Sequence, residues 1–413
     1  MLRRCLARRA LPLPGRPLSS SSTSARPPAP LPSTYVPGFH DPAVVARMPY
    51  RPLGGSCLGL DGAPASVSAL SLGGSAFGAV YEETDDEDSV RVVHQALEGG
   101  INLIDTAAWY GHGRSEAVLG RALADVPREA YYLNTKCARY DPGVLDMFDF
   151  TYDRTMRSID ESLERLGVDY IDAIQVHDPE FADAWSGGQG LLPVIQETLP
   201  AMLEAKRQGK VRWVGVTGFP LSILREQVEL AQEAGLDIDT CLSYCHSTML
   251  DESLKDELLP FLRERNVACM SASAVGMGLL SNAGPPKWHP ASSEIRTACA
   301  DAAAYCLEAG VDISKLALYF ALREAAIPTT LVSTTSTDQL QANLDMAYGI
   351  AAEERDSEDG CLSTAEADAM EHVLATFFRP LENASWENVE PAMYKEKLYK
   401  AMAGEEVGTL STN

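Results

Sequence analysis

Four residues with side chains suited to proton transfer occur at the ends of three successive apolar segments of this 413-residue chain. Asp105 and Tyr110 lie in IDTAAWYG, Lys136 ends YYLNTK, and His177 ends YIDAIQVH. A lysine ammonium beside a tyrosine stabilises the phenolate and lowers the tyrosine pKa from about 10. We therefore expect Lys136 to bring Tyr110 toward the range in which it exchanges a proton near neutral pH. Asp105 would fix Lys136 and His177 would orient a substrate oxygen, an arrangement suited to hydride transfer at a carbonyl or alcohol carbon.

Each of these residues has a structural explanation when it is taken alone. Asp105 could cap the following helix, and Lys136 could belong to a buried structural ion pair. Tyr110 could be an aromatic side chain at the rim of the fold, and His177 a hydrogen-bonded core histidine. Because all four are expected at the same end of three successive strands, the catalytic interpretation is favoured over four separate structural ones.

The elements that would position these residues alternate regularly from about residue 48. Short apolar segments, typical of strands buried on both faces, are each followed by a stretch with helical spacing of apolar residues. The eight predicted strands are SALSLGG, INLIDTA, YYLNTK, YIDAIQVH, VRWVGVT, TCLSYC, ACMSAS and TTLVST. Eight βα units in series predict an α/β fold of the (β/α)8 TIM-barrel type, which takes its catalytic groups from the C-terminal ends of strands. A doubly wound sheet is the main alternative, but no GxGxxG turn follows the first strand.

Local composition divides the chain into three parts. Residues 1–40 contain six arginines and no acidic residue, which predicts either a transit peptide or a flexible leader. A transit peptide would direct the protein to the mitochondrion or the chloroplast, whereas a leader without a targeting role would leave it cytoplasmic. Residues 48–348 are predicted to form the barrel. Residues 349–413 are predicted to form an acidic loop and a C-terminal helical appendage.

Two long segments follow predicted strands and should therefore face the active site. They are FADAWSGGQGLLP after the fourth strand and SNAGPPKWHPASSE after the seventh. Both are predicted to be walls of a substrate pocket. Trp109 and Trp288 are predicted to line this pocket, and His289 either to hydrogen-bond a substrate hydroxyl or only to brace its own loop.

The composition excludes several classes of protein. Hydrophobic residues make up 46% and charged residues 22% of the chain, the balance of an ordinary globular protein. The 58 acidic against 34 basic residues give a net charge of −24, which disfavours nucleic-acid and membrane-surface partners. Nine cysteines without a CxxC pair indicate free thiols. Cys241, Cys245 and His246 lie close in sequence but lack the distant partner pair of a metal site, so no metal is predicted. No sequence feature sets the oligomeric state.

Several of these motifs resemble the aldo-keto reductase superfamily. GGINLIDTAAWYGHGRSEAVLG, LNTK and IQVHD match its pattern, and the resemblance covers about residues 50–345. It implies that Asp105, Tyr110, Lys136 and His177 are a catalytic tetrad. It also implies that YRPLGGSCLGL, before the first barrel strand, is an N-terminal hairpin that closes the barrel floor.

A narrower resemblance is to the plant-type L-galactose dehydrogenase branch of that superfamily. It is carried by KCARY, SIDESLERLGVDYIDAIQVHD, LSYCH and SASAVGMGLLSNAGPPKWHPASSE. It implies NAD-dependent oxidation of the anomeric C1 of the sugar L-galactose to a lactone, a step in ascorbate biosynthesis. The alternatives are another aldose 1-dehydrogenase acting on D-arabinose or L-fucose, a general aldehyde reductase, or a cofactor-binding regulatory subunit without turnover.

The resemblance also implies a set of cofactor-binding positions at the strand ends. They are Gly73, Gly74, Thr217, Tyr244, Ser273, Gly276, Gly278, Thr334, Thr335, Ser336, Gln339 and Asn343. Serine and threonine before a helix are equally explained as helix N-caps. The sequence departs from the family pattern at Gly218, Ala272 and Ala342. Family members that prefer NADP carry a lysine or arginine in the last segment, and residues 327–343 contain neither, so NAD is predicted.

Overall fold

The computed structural model describes residues 31–81, 83–354 and 361–408, and its centre is a closed barrel of eight parallel strands. Every predicted barrel strand is present, and the predicted (β/α)8 fold is confirmed. The strands are β1 (Tyr50–Pro52), β2 (Ser66–Ser68), β3 (Leu70–Gly73), β4 (Leu103–Asp105), β5 (Tyr132–Cys137), β6 (Ile171–His177), β7 (Val211–Gly218), β8 (Thr240–Tyr244), β9 (Ala268–Ala272) and β10 (Thr330–Ser333). Strands β3 to β9 pair in chain order, and β10 closes the barrel between β9 and β3.

Helices cover the outside of the barrel, and two of them, α9 and α10, follow β9. Within the described residues they are α1 (Pro42–Val45), α2 (Asp86–Glu98), α3 (Arg114–Leu123), α4 (Tyr152–Leu166), α5 (Ala182–Trp185), α6 (Leu199–Arg207), α7 (Leu221–Glu233), α8 (Leu259–Glu264), α9 (Ser293–Glu308), α10 (Ile313–Leu322), α11 (Thr337–Glu353), α12 (Thr364–Val373) and α13 (Val389–Met402). Single π-helical turns lie at Val194–Thr198, Leu254–Leu258 and Leu374–Phe378. No helix in the described part of the chain is long and apolar enough to cross a membrane.

Helix α4 shows why the sequence forms these elements. The Thr151 side chain accepts a hydrogen bond from the Arg154 amide and caps its first turn, as an N-cap threonine does. Gly167 ends the helix with a φ of 65°, a conformation that glycine adopts without steric cost. Between these caps the buried residues Thr155, Ile159 and Leu166 face the barrel.

The hairpin β1–β2 closes the N-terminal end of the barrel. Its strands are antiparallel, with Tyr50 opposite Ser68. Leu53 and Val67 pack in one buried cluster with Trp213 and other side chains from the barrel interior. Apolar packing therefore fills this end of the barrel, and the C-terminal strand ends are left for the site.

Part of the segment that precedes the barrel packs against it. Residues 1–30 of the predicted leader, and residues 355–360 of the acidic loop, lie outside the described residues. Within the predicted leader, Thr34 is buried and accepts a hydrogen bond from the Asn102 side chain. The packed chain therefore includes residues 31–40, because their polar groups find partners in the barrel.

Candidate active site

The four predicted catalytic residues converge at the C-terminal ends of β4, β5 and β6. Asp105 is the last residue of β4 and His177 the last of β6, while Lys136 lies one residue before the end of β5. Lys136 Nζ donates to Asp105 Oδ1 and Oδ2 at 2.9 and 2.7 Å. It also donates to the Thr106 carbonyl oxygen at 2.8 Å and to the Tyr110 hydroxyl at 3.3 Å. Lys136 thus connects the carboxylate to the phenol.

Tyr110 is held by the turn that follows β4. Its ring lies edge-on against the His177 ring, with 5.8 Å between the ring centroids. Gly78 lies directly beneath it, since a Cβ on Gly78 would approach the Tyr110 carbonyl carbon to 2.4 Å. Asp105 receives a further hydrogen bond of 2.6 Å from the Asn134 side chain. The phenol, the ammonium and the imidazole therefore share one fixed arrangement.

The predicted direction of the Tyr110 pKa shift is wrong for this site. Burial raises the pKa of Tyr110 well above its usual value, and the Asp105 and Asp178 carboxylates raise it further, while the Arg139 guanidinium lowers it. The sequence could not reveal how completely the site is enclosed, and desolvation penalises the charged form. Burial, together with the charges of Lys136 and Arg139, holds the pKa of His177 well below its usual value. The phenol is therefore protonated and the imidazole neutral near pH 7.

A cavity of about 660 Å³ opens over these residues, a size typical of small-molecule sites. The predicted site residues that line it are Gly73, Asp105, Trp109, Tyr110, Lys136, His177, Thr217, Tyr244, Ser273, Gly278, Trp288 and Gln339. The predicted residues that lie away from the lining are Gly74, Gly276, His289, Thr334, Thr335, Ser336 and Asn343. The structure thus brings the tetrad together with roughly half of the predicted cofactor positions.

Local hydrogen bonds account for several residues that lie away from the cavity. His289 Nδ1 accepts from the Ala291 amide and Nε2 lies 3.2 Å from the Gly276 carbonyl oxygen. This is the bracing role that was one of its two predicted alternatives. Thr334 donates to the Gln339 side chain at 2.7 Å, and Ser336 caps the first turn of α11. The capping explanation therefore holds for Ser336.

The positions at which the sequence departs from the family pattern differ in their surroundings. Ala272 lines the cavity beside Tyr244, its register partner on β8. A Cβ on Gly218 would lie 2.7 Å from Glu180 Oε2, so the Glu180 carboxyl occupies the space where a larger side chain would project. Ala342 is exposed on α11. Of these three positions, Ala272 is the one in the described lining of the cavity.

One of the two predicted substrate walls is present and the other is not. Segment 281–294 contributes Ser281 and Trp288 to the cavity, with Trp288 stacked against Tyr81 at a centroid distance of 6.1 Å. In contrast, no residue of segment 181–193 lines the described cavity. Helix α13 packs against that segment instead, where Lys395 pairs with Asp183 at 3.3 Å. The prediction for 181–193 is wrong because the C-terminal helix covers it.

Sequence reasoning missed three charged residues of the cavity. Arg139 Nη1 donates to Asp178 Oδ2 at 2.5 Å, and its guanidinium lies 4.2 Å from the centroid of the Trp109 ring. Glu390 of α13 also lines the cavity. Arg139 and Asp178 lie within the motifs KCARY and QVHD, so the spacing of those motifs could have indicated them. No local signal pointed to Glu390.

The small and hydroxyl-bearing residues of the cavity lining fit a nicotinamide cofactor. Gly73 lies in the same layer as Asp105, and a Cβ there would meet Ser333 at 3.4 Å, so glycine keeps this floor open. Gly278 has a φ of 96° and bends the loop after β9 along the cavity. Thr217 and Ser273 offer hydroxyl groups to the same space. Small residues with interspersed polar groups match a cofactor that has both apolar rings and polar groups.

The described residues contain no cluster of three His, Cys, Asp or Glu side chains that could hold a metal ion. His246 uses both ring nitrogens, with Nδ1 2.8 Å from Asp251 and Nε2 2.8 Å from the Phe219 carbonyl oxygen. Its hydrogen bonds therefore give it a structural role beside Cys245.

Comparisons with known proteins agree with this geometry. The sequence profile of the Aldo/keto reductase family matches residues 69–356. An L-galactose dehydrogenase of Arabidopsis thaliana is 38% identical over 322 residues, which cover 78% of this chain and 93% of that protein. A D-arabinose 1-dehydrogenase of Saccharomyces cerevisiae is 30% identical, with coverage of 79% and 95%. The holo form of an aldo-keto reductase from Bacillus halodurans superposes with a TM-score of 0.57 at 24% identity, covering 79% of this chain and 96% of that one.

Proposed function

This chain belongs to the aldo/keto reductase family, and on that premise we propose that it oxidises the anomeric carbon of an aldose, L-galactose, with NAD as the hydride acceptor. The observation that carries the proposal is the position of Lys136 between the Asp105 carboxylate and the Tyr110 hydroxyl, at 2.7 and 3.3 Å, under a cavity of about 660 Å³. The identity to the L-galactose and D-arabinose dehydrogenases supports an aldose as the substrate class.

The chain's own residues supply the proton chemistry. His177, neutral near pH 7, offers a ring nitrogen to the C1 oxygen of the sugar and positions it beside Tyr110. In its deprotonated form, whose charge the Lys136 ammonium offsets, the Tyr110 oxygen accepts the proton of the anomeric hydroxyl. NAD, when bound, accepts the hydride that leaves C1, so that the C1–O bond becomes a lactone carbonyl.

The enclosure of the site serves this reaction in two ways. Asp105 holds the Lys136 side chain beside the phenol through two hydrogen bonds, at 2.9 and 2.7 Å. The ring of Trp109 and the stacked pair Tyr81–Trp288 shield the cavity from water. The residues suited to hold the cofactor are Gly73, Thr217, Ser273, Gly278 and Gln339, and the Tyr244 ring, which also lines the cavity, would stack on its nicotinamide.

The preference for NAD over NADP rests on charge. Residues 327–343 contain no lysine or arginine. The two cationic side chains that line the cavity, Lys136 and Arg139, are both already paired with carboxylates. A 2′-phosphate would find no free positive partner among the described residues of the cavity. We expect kcat/KM to be higher with NAD than with NADP, and the opposite preference would contradict this part of the proposal.

NADH formation, followed by absorbance across a panel of L- and D-aldoses, tests the proposed function. The panel includes L-galactose, D-arabinose and L-fucose, and L-galactose should give the highest kcat/KM. The Tyr110→Phe variant should lose about 10²–10⁴-fold in turnover, the range for a general acid–base group, while it keeps its affinity for the cofactor. Retained turnover in this variant would refute the role of Tyr110. Cofactor binding without turnover of any aldose would favour a regulatory subunit.

A further inference from the structure

One residue of the described cavity lining, Glu390, comes from a part of the chain outside the family match at residues 69–356. Helix α13 and the residues before it dock onto the rest of the chain through aromatic contacts. Trp386 stacks on Phe219 at a centroid distance of 4.9 Å. The fully buried Tyr394 packs edge-on against Phe181 at 5.4 Å. This C-terminal segment is therefore a fixed wall of the cavity.

Glu390 lies in the first turn of α13 and lines the cavity together with Arg139 and Asp178. Arg139 and Asp178 pair at 2.5 Å, yet each retains a buried polar atom without a protein partner. These atoms are Arg139 Nε, a donor, and Asp178 Oδ1, an acceptor, and Asp178 as a whole is 2% exposed. Buried polar atoms are normally hydrogen-bonded. The Arg139–Asp178 pair therefore has hydrogen-bonding capacity that the described protein groups do not use.

The chemistry of this end of the cavity selects the kind of partner. Carboxyl oxygens and guanidinium N–H groups bind hydroxyl groups, which both donate and accept. A phosphate or carboxylate would need a free cation, whereas Lys136 and Arg139 are the basic residues of the described lining and each is paired with a carboxylate at 2.7 or 2.5 Å. The groups present therefore match a neutral, hydroxyl-rich molecule and do not match a sugar phosphate or a sugar acid.

We propose that Glu390, Asp178 and Arg139 form a hydroxyl-binding subsite, in which Glu390 sets the preference of the enzyme for neutral polyhydroxylated substrates. The subsite holds sugar hydroxyls remote from the carbon that is oxidised, and this inference rests on the proposed function. Because Glu390 comes from α13, the specificity of this chain depends on a segment that the family match does not include.

Two alanine variants on the same helix test the subsite. Glu390→Ala removes the carboxyl from the cavity. Glu396→Ala is the matched control, since Glu396 is exposed and pairs with Lys400 on the helix surface. Both are assayed for oxidation of L-galactose with NAD and for reduction of propanal, which lacks remote hydroxyls, with NADH. The ratio of kcat/KM for L-galactose to that for propanal should fall about 10- to 100-fold in Glu390→Ala, the loss expected for a hydrogen bond to a charged group, mainly through KM. The ratio should not change in Glu396→Ala.

The outcomes separate the subsite from the proposed function. Equal ratios in the two variants would overturn the subsite and leave the proposed function standing. If the wild-type protein oxidises no aldose, the proposed function fails, and calorimetric binding of L-galactose then decides the subsite. Weaker binding by Glu390→Ala than by Glu396→Ala would support it, and equal binding, or no binding by the wild-type protein, would overturn it. A higher kcat/KM for L-galacturonate than for L-galactose would also overturn the subsite.

Discussion

The Lys136–Asp105 ion pair offers a quantitative test of how this site is built. The two side chains are 2% and 6% exposed, so both charges lie out of water. In Asp105→Asn the Lys136 ammonium loses the negative charge beside it and one of two acceptor oxygens, and it keeps the asparagine amide oxygen, the Thr106 carbonyl oxygen and the Tyr110 hydroxyl as neutral partners. Removing one partner of a buried pair costs about 3–5 kcal/mol. We expect this loss in the free energy of unfolding.

The double variant Asp105→Leu with Lys136→Met removes both charges at similar side-chain volume. Replacing a whole buried ion pair with apolar groups is often close to neutral. Three hydrogen bonds are still lost, from Asn134 to Asp105 at 2.6 Å and from Lys136 to the Thr106 carbonyl oxygen and the Tyr110 hydroxyl, while Asn134 keeps its 3.0 Å bond to Gln175. Each lost hydrogen bond costs about 1 kcal/mol, so the double variant should be destabilised by much less than the sum of the two single losses.

Urea unfolding of the wild-type protein, Asp105→Asn, Lys136→Met and the double variant measures this coupling. If the double variant were destabilised by the sum of the two single losses, the two residues would not act as one unit, and the reasoning would be refuted. Turnover provides the second measurement. The double variant should fold and still lose activity by at least about 10²-fold, because Tyr110 no longer has a cation beside it.

Three further predictions address the phenol and its surroundings. Because burial raises the pKa of Tyr110 and the oxidation needs its deprotonated form, kcat for aldose oxidation should rise as the pH is raised from about 7 to about 10; a pH-independent kcat would contradict this. Gly78→Ala would place a Cβ 2.4 Å from the Tyr110 carbonyl carbon, so it should cost about 1–3 kcal/mol in unfolding free energy and lower kcat by displacing Tyr110; an unchanged kcat would count against this contact. The Tyr394 hydroxyl is buried without a partner, so Tyr394→Phe should be neutral or stabilising by up to about 1 kcal/mol in thermal unfolding, and a clear loss of stability would show that the hydroxyl is satisfied.

The barrel and the tetrad could be predicted from sequence because both depend on local patterns. Each strand is a short apolar run, and the C-terminal ends of parallel strands meet at one face. Asp105, Lys136 and His177 end their runs, so their proximity follows from strand order alone. Tyr110 comes one turn after its strand and is placed by the same argument.

The parts that could not be predicted depend on packing between distant segments. Glu390 reaches the cavity from α13, far from His177 in sequence, and its position is set by the docking of Tyr394 and Trp386. The same docking separates segment 181–193 from the cavity. The prediction that the Tyr110 pKa is lowered failed for a related reason. The burial of Tyr110 results from all the loops around the site together, and no single sequence motif predicts it.

The closure of the barrel between β10 and β3 also governs how the protein is made. Ser333 Oγ donates to the Gly73 carbonyl oxygen, 260 residues away along the chain, and contacts of such long range slow folding. On the ribosome, the N-terminal strands emerge long before the strand that must pair with β3, and the segment with Trp386 and Glu390 emerges later still. The residues of the proton chemistry are therefore synthesised first and the wall that carries Glu390 last. A nascent chain interrupted between Ser333 and Glu390 would contain the complete tetrad, but its cavity would lack the C-terminal segment that carries Glu390.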